Sequence, residues 1–235
     1  MTIFLSASAI KDFLSCSYKY KYRRFAKVKS VETTAMRIGS AVHNVLEHCW
    51  DSESVGTGLY LDALVTEWNL SAVEKKRIQE CLDVFYNKTS FPFSNLDKVE
   101  YNFKVPYNKD VFIVGKFDRV LEESVVIDWK TGKLPIIPSR DIQMIVYDWA
   151  FFKLYGHRAS SIIDISLLDG RSVRYNRVLE NEELLMKVIV PHILERIESG
   201  SYFPEGRFAF ASTCKNCTFL GHCNHELDSR NNTKR

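Results

Sequence analysis

The sequence lacks long hydrophobic runs, a large charge excess and a secretory leader. No apolar run in it approaches the ~18 residues of a membrane-spanning helix, so we expect no membrane segment. The opening residues, MTIFLSASAIKDFL, have no basic start, no long apolar stretch and no small-residue cleavage site, which predicts an intracellular, cytoplasmic protein. The net charge of +3 is too small to indicate nucleic-acid binding by itself.

The 235 residues have the composition of an ordinary globular protein. Apolar residues make up 46% of the chain and charged residues 26%, which excludes a disordered chain. We expect a single domain over residues 1–227, because the length is short of what two comfortable domains need. The polar residues 228–235 are expected to form a disordered tail.

Hydrophobic periodicity predicts helices first and a sheet later. Apolar residues at helical spacing predict one helix around residues 10–14 and a second over 38–49, and Ser71 with Glu74 forms a capping box that opens a third. The later predicted elements are strands at 99–105, 111–114 and 125–127, a helix at 140–155, a hairpin at 162–175, and a helix at 182–198 kinked by Pro191. This mixture predicts an α/β (α+β) layered fold with a central mixed sheet flanked by helices.

Charged residues stand at the ends of two predicted strands. Asp118 closes the segment Gly115-Lys116-Phe117-Asp118, and Asp128 and Lys130 lie two positions apart, so that they share a face of the next strand. Carboxylates that bind a divalent cation, beside a lysine that orients water or neutralises phosphate, suit phosphodiester chemistry. A surface ion pair of little energetic weight is the alternative interpretation of Asp128 and Lys130.

Polar residues also interrupt two predicted helices. His43 lies next to the apolar face of the predicted helix over 38–49. Gln143 and Tyr147 lie one helical turn apart, next to the apolar face of the predicted helix over 140–155. Taken alone, His43 is typical of a boundary histidine with an ordinary hydrogen-bond partner, and Gln143 and Tyr147 are typical of polar packing.

In chain order, these motifs resemble the RecB-like nuclease branch of the PD-(D/E)XK superfamily, which has a restriction-endonuclease-like core. The resemblance implies that His43, Asp118 and Asp128 bind Mn²⁺ or Mg²⁺ and that Lys130 is catalytic. It also implies that Gln143 and Tyr147 line the DNA side of the site. Glu100 matches the pattern too, and a strand face that meets solvent is the alternative interpretation of this residue. The matching motifs are Leu5 to Ser8 leading to Cys16, Gly39-x-x-x-His43, Glu100, Gly115-x-x-Asp118, Asp128-x-Lys130 and Gln143-x-x-x-Tyr147.

Three cysteines near the C-terminus have the spacing of a metal site. Cys214, Cys217 and Cys223 need a fourth ligand, and four thiolates suit either zinc or an iron–sulfur cluster. His222 or His225 would complete a zinc site. In the resemblance, which extends to CRISPR-associated iron–sulfur nucleases and the AddB nuclease domain, Cys16 is the fourth ligand of a [4Fe–4S] cluster that joins the two ends of the chain. Cys49 and Cys81 lie on apolar helix faces and are expected to be core thiols.

The segment from Tyr18 to Lys29 combines six basic residues with interleaved aromatic residues and has no acid. We expect Arg23 and Arg24 to contact phosphates, and Tyr18 and Tyr22 to stack on unpaired bases. A solvated helix whose rings pack inward is the alternative.

These observations predict a metal-dependent DNA nuclease. The resemblance implies that it is an exonuclease, that it acts on single-stranded DNA or DNA ends, and that it cuts from 5′ to 3′. Its pathway is left open among CRISPR adaptation, viral DNA recombination and DNA repair, and its protein partners would come from the same pathways. Residues 130–133 do not form a Walker A motif, because Ile127 stands where the first glycine should be. The rival functions are a non-catalytic DNA-end-binding partner and a zinc-stabilised interaction module.

Overall fold

A computed structural model describes residues 2–25, 32–49, 54–89, 94, 96–205, 214–215 and 217–224, with the side chains of 54–55 excepted. Two compact units make up the chain. The first comprises Met1–Ile3 and Glu32–Val178, and the second comprises Phe4–Val31 and Leu179–Arg235. The single nuclease domain over 1–227 stays a prediction, and the tail at 228–235 lies outside the described residues.

Each helix and strand predicted from the sequence is present in the predicted order, after a first short strand that was not predicted. The helices are α1 (Ala7–Ser15), α2 (Ser17–Arg24), α3 (Thr34–Cys49), α4 (Ser54–Glu67), α5 (Ala72–Lys88), α6 (Ile142–Tyr155), α7 (Leu179–Glu183) and α8 (Val190–Glu198). The strands are β1 (Ile3–Leu5), β2 (Lys98–Pro106), β3 (Val111–Leu121), β4 (Val125–Lys130), β5 (Ser161–Ser166) and β6 (Ser172–Arg174). Strand β1 and helix α4 were not predicted from the sequence.

The strands of the first unit form a mixed sheet, which confirms the predicted fold class. β2 pairs with β3, β3 with β4 and β5 with β6 in antiparallel fashion, whereas β4 and β5 are parallel and joined through α6. At the start of β1, the Ile3 N–H donates to the Asp110 carbonyl over 2.8 Å. Strand β4, which carries Asp128 and Lys130, therefore lies between two hydrogen-bonded neighbours.

Local capping residues mark one end of each of two helices. The Ser71 side chain accepts from the Glu74 N–H while the Glu74 side chain accepts from the Ser71 N–H, so the capping box is confirmed. Helix α6 ends at Gly156, whose φ of 76° is the left-handed conformation that glycine adopts without strain.

A hydrophobic core covers one face of β4 and β5. Ile127 and Trp129 of β4 pack there with residues of α3, α4 and α5, among them Val42, Leu61 and Leu82. Because successive strand residues point to opposite faces, Asp128 and Lys130 are turned away from this core. Cys49 and Cys81 belong to the core, as predicted.

The second unit contains α1, α2, α7 and α8. Between α7 and α8 the chain continues as a π-helix, Leu184–Ile189, where the sequence predicts one kinked helix. Pro191 lies in the first turn of α8 and has no N–H to donate to a carbonyl four residues earlier, so a wider turn precedes it. Among the described residues, no helix is long and apolar enough to cross a membrane.

Candidate active site

Asp128 and Lys130 lie side by side on β4, as their spacing predicts. The Lys130 Nζ is 2.5 Å from the Asp128 Oδ2, and both groups are largely withdrawn from solvent, with 23% and 3% of the side chains exposed. An ion pair this buried is unlike the surface pair of the alternative interpretation, because water screens it little. The two residues therefore belong to an interior polar site.

Gln143 and Tyr147 of α6 complete the surroundings of this ion pair. The Gln143 Nε2 donates to the Asp128 Oδ1 over 2.6 Å, and the Lys130 Nζ donates to the Gln143 Oε1 over 2.8 Å. The Tyr147 hydroxyl lies 3.0 Å from the Asp128 Oδ1 and donates to the Lys116 carbonyl over 2.6 Å. Gln143 thus bridges the carboxylate and the ammonium, and the structure brings all four predicted residues together.

The start of α6 determines where Gln143 lies. The Asp141 side chain is the N-cap and accepts from the backbone N–H groups of Gln143 and Met144. Residues four apart lie on one helix face, so the cap that orients Gln143 also directs Tyr147 toward the same carboxylate.

A second group of ligand-type side chains consists of His43, Glu100 and Asp118. One candidate ligand atom from each lies within 4.8 Å of the others. The His43 Nδ1 is 3.3 Å from the Glu100 Oε1 and 3.3 Å from the Asp118 Oδ1. The Lys116 ammonium pairs with the other oxygen of Glu100.

Glu100 reaches this group through an unusual backbone conformation. Its φ is 49°, in the left-handed region, which residues other than glycine and asparagine adopt only rarely. The β2–β3 register pairs Val99 with Arg119 and Tyr101 with Phe117, which leaves Glu100 and Asp118 opposite each other without ladder pairing. The conformation costs about 1 kcal/mol or more, and it turns the carboxylate inward. Only 6% of Glu100 is exposed, so the alternative that it faces solvent is wrong.

Backbone contacts join the two groups. The Trp129 N–H, between Asp128 and Lys130, donates to the Asp118 Oδ2 over 2.7 Å. One Asp118 oxygen is therefore held by β4 while the other faces His43. A continuous polar site results, which includes every residue predicted for the metal and catalytic centre.

The charges of the site shift the titration of its members. Burial lowers the pKa of His43, but the Asp118 and Glu100 carboxylates outweigh it and raise that pKa to about 10. The imidazole is therefore protonated at neutral pH when no metal is bound. A divalent cation bound by His43 and by the Asp118 and Glu100 carboxylates would displace this imidazole proton.

Burial also acts on the Asp128 ion pair. Burial raises the pKa of Asp128, and the nearby Asp118 carboxylate raises it further. The Lys130 ammonium lowers it, but by less. For Lys130, burial lowers the pKa, yet Asp128 and then Asp164 outweigh it, so the ammonium form is retained. Burial keeps the pKa of Tyr147 well above its usual value, so its phenol stays neutral.

The donor set of His43, Glu100 and Asp118 fits a divalent cation. Ligand atoms at about 2.1 Å from a metal in octahedral geometry are about 3 Å apart, and the two His43 contacts are 3.3 Å long. Carboxylate oxygens suit Mg²⁺ and Mn²⁺, and the imidazole favours Mn²⁺ of the two. The protein supplies this arrangement from three separate elements, α3, β2 and β3.

Two glycines of the predicted motifs permit close approaches around the site. A Cβ on Gly115 would lie 2.4 Å from the Phe103 ring, which a side chain there could not tolerate. A Cβ on Gly39 would lie 3.2 Å from the Thr131 Oγ1, so this glycine lets α3 approach the residue that follows Lys130. Both glycines therefore serve packing next to the ligands.

Asp164 is a residue that the sequence analysis missed. It lies on β5 opposite Asp128 in the parallel register, and only 1% of it is exposed. Its charge contributes to the raised pKa values of both Asp128 and Lys130. A single acid inside the apolar run Ile162 to Ile165 was the signal that could have indicated it.

The predicted cysteine ligands share a pocket of the second unit. Cys16, Cys214, Cys217 and Cys223 all line it. The remaining lining is mainly aromatic and aliphatic and includes Tyr18, Tyr22, Pro204, Phe219 and Leu220. His222 is exposed and is not part of the lining, and His225 lies outside the described residues.

Burial decides between the two interpretations of the α2 aromatic residues. Tyr18 and Tyr22 are only 2% and 5% exposed, and they pack with Cys16, Phe219 and Cys223. Their predicted role in stacking on DNA bases is therefore wrong, and the inward-packing alternative is correct. The physical reason is that the helix turns these rings into an apolar cluster.

The basic residues of α2 differ from each other. Arg23 pairs with the buried Asp12 over 2.5 Å, and Lys19 pairs with the same carboxylate over 2.8 Å. Arg24 is exposed and makes a long contact, 3.4 Å, to the Ser6 hydroxyl. Of the two arginines predicted to bind DNA, Arg24 is thus the more accessible to phosphate. Lys27 and Lys29 lie outside the described residues.

A protein-family model and a solved structure agree with this fold. A protein-family model described as the PD-(D/E)XK nuclease superfamily matches residues 4–224. A solved structure from Eubacterium rectale, described as "Putative exonuclease", is similar in fold, with a TM-score of 0.62 at 16% identity over 86% of this chain and 83% of that one. A structure described as SSO0001 has a TM-score of 0.43 at 15% identity, covering 92% and 83% of the two chains. The comparison with curated proteins finds no match.

Proposed function

The chain belongs to the PD-(D/E)XK nuclease superfamily, and from that premise we propose that it is a divalent-metal-dependent DNA exonuclease. Its substrate is single-stranded DNA or a DNA end, and it cuts from 5′ to 3′. The observation that carries the proposal is the grouping of His43, Glu100 and Asp118 beside the Asp128–Lys130 ion pair. The exonuclease action and its direction rest on the sequence resemblance.

His43, Asp118 and Asp128 are the proposed metal ligands, and the geometry adds Glu100 to them. A bound Mn²⁺ or Mg²⁺ supplies Lewis-acid polarisation of the scissile phosphate and a more acidic water. Asp118 is prepared for this role because the Trp129 N–H holds one of its oxygens and leaves the other toward His43. Carboxylates from β2, β3 and β4 would thus share one cation.

Lys130 is the proposed catalytic residue. Its pKa is raised by Asp128, so it keeps a positive charge that can orient the attacking water or neutralise the developing charge on phosphate. Gln143 holds the Lys130 ammonium and the Asp128 carboxylate in a single arrangement. Tyr147 fixes Asp128 from the other side, and with Gln143 it lines the proposed DNA surface.

For the second unit we propose a [4Fe–4S] cluster held by Cys16, Cys214, Cys217 and Cys223. All four thiols line one pocket, and thiolates are the usual ligands of such clusters. The position of Cys16 in this lining supports the cluster over a zinc site that would use a histidine and leave Cys16 without a metal. The cluster would connect segments near the two ends of the chain.

Arg24 is the proposed phosphate contact on α2, because it is exposed and makes no ion pair among the described contacts. We propose an intracellular role in CRISPR adaptation, viral DNA recombination or DNA repair, with partner proteins from the same process.

The test is turnover of end-labelled single-stranded DNA by the full chain in Mn²⁺ or Mg²⁺. We expect Asp118→Asn, which keeps the shape of the side chain, to lower the rate by about 10³-fold, because a ligand and its charge are lost. Asp62→Asn, at an exposed carboxylate of α4, is the matched control and should cut normally. DNA binding without any turnover by the unaltered protein would favour the non-catalytic DNA-end-binding function instead.

A further inference from the structure

The connection between β4 and α6, residues 131–141, exposes an apolar tip. Ile136 is 97% exposed and Ile137 is 49% exposed, and Pro135 and Pro138 flank them. Single exposed apolar residues are common on proteins, but two adjacent isoleucines between prolines form a small, stiff apolar projection. Such a projection gains free energy only when a partner covers it.

Both ends of this connection begin in the candidate active site. Lys130 is the last residue of β4, Gln143 lies in the first turn of α6, and the two side chains are joined by the 2.8 Å hydrogen bond. Ile136 follows Lys130 by six residues, which span at most about 20 Å even when fully extended. A strand end held by Lys130 is therefore within reach of the tip.

The charge of the connection matches a polyanion. Lys133 and Arg140 are exposed, and residues 131–140 contain no acidic residue. Asp141, which follows, uses its side chain to cap α6. Two cations beside an apolar tip suit a ligand that has phosphates next to flat apolar rings, which is the chemistry of a nucleic acid strand.

We propose that the Ile136–Ile137 tip packs against the terminal base of the DNA strand to be cut and separates it from its neighbour. This inference rests on the proposed nuclease function and assigns a residue pair that selects DNA ends. Apolar side chains of this kind unstack bases when they enter between base steps. Lys133 and Arg140 contact the adjacent phosphates, and the strand end is directed toward Lys130.

The experiment uses duplexes that carry 2-aminopurine at the terminal 5′ or 3′ position, bound to the full chain in EDTA so that no cutting occurs. Fluorescence of 2-aminopurine rises when the base is unstacked. We expect the unaltered protein to raise the signal at one end, and I136S/I137S to remove most of that rise. Because both side chains are exposed, the double variant should keep the melting temperature of the parent.

Cleavage in Mn²⁺ provides the second readout. For duplex ends, the double variant should raise KM about tenfold, equivalent to about 1.4 kcal/mol, with kcat unchanged. The matched control is Leu96→Ser, at a turn residue that is 68% exposed, and it should change neither the fluorescence nor KM.

Unchanged fluorescence and unchanged KM in I136S/I137S would overturn the inference. An effect of the double variant on self-association alone, measured by sedimentation, would assign the tip to a protein contact and would overturn it as well. If the unaltered protein cuts no DNA but its fluorescence rise still depends on the isoleucines, the tip assignment stands and the nuclease function fails.

Discussion

The carboxylate–lysine site of the first unit has polar, hydrogen-bonded surroundings, whereas the cysteine pocket of the second unit has mainly apolar ones. Around Asp128, hydrogen bonds from Gln143 and contacts from Lys130 and Tyr147 surround a nearly buried charge. The four cysteines, by contrast, lie mainly among aromatic and aliphatic side chains. The difference follows from the cost of burying a charge, which is large without partners, whereas a thiol is tolerated in apolar surroundings. We therefore expect the first site to keep its shape without metal and the second to depend on ligation.

The largest expected effect is on the cysteine pocket. Cys16→Ala should lose all iron and acid-labile sulfide, together with solubility, because the free energy of metal ligation becomes free energy of folding. Anaerobic purification, followed by iron, sulfide and zinc analysis, checks this. Cys81→Ala is the control, since that thiol lies in the core of the first unit and should leave the metal content unchanged. Stoichiometric zinc in the parent, with normal behaviour of Cys16→Ala, would favour the histidine-containing zinc site.

The next effect concerns Lys130. Lys130→Met should lower kcat by about 10³-fold and leave DNA affinity within about threefold, because a charge directed at the reacting phosphate is lost while the phosphate contacts elsewhere remain. Single-turnover cleavage and binding in EDTA separate the two quantities. The control is Lys109→Ala, at an exposed lysine of the β2–β3 turn. Near-normal turnover by Lys130→Met would remove this lysine from the reaction.

Gln143 tests how far the hydrogen-bonded surroundings matter. Gln143→Leu should lower the cleavage rate by about 10- to 100-fold and weaken Mn²⁺ binding, because the amide no longer holds Asp128 and Lys130 together. Calorimetric titration with Mn²⁺ and cleavage kinetics measure the two effects. Gln79→Leu, on the exposed face of α5, controls for loss of an amide. Full activity of Gln143→Leu would show that the carboxylate and ammonium hold their positions without this bridge.

The smallest effect is expected on α2. Arg24→Gln should weaken DNA binding about two- to threefold and lower the slope of log affinity against log salt by about 1, because one phosphate contact is lost. Arg23→Gln should mainly lower the melting temperature, since it leaves the buried Asp12 with one cation fewer. Titrations at several salt concentrations and thermal melts distinguish the two arginines. An unchanged salt slope in Arg24→Gln would assign this arginine to ordinary surface.

The fold was largely predictable because its signals are local. The Ser71 capping box, the Gly156 helix end and the β5–β6 hairpin each depend on residues close together in the chain. The π-helix before Pro191 was not predicted, because a proline inside a helical pattern indicates a break in the hydrogen bonding but not whether the chain kinks or forms a wider turn. Helix α4 was missed as well, since apolar residues are spread around it without one strong stripe.

The sequence by itself determined which residue types carry the chemistry and that Asp128 and Lys130 share a face. Only the tertiary structure decided that Glu100 turns inward at a φ of 49°, that Asp164 lies beside Asp128, and that the rings of Tyr18 and Tyr22 are buried. The physical reason is the separation of the interacting residues along the chain. The alternation of a strand relates residues two positions apart, whereas the His43–Glu100 contact joins residues 57 positions apart. Contacts of that separation depend on how helices pack on the sheet and on backbone strain that packing supports, and neither is written in a local pattern.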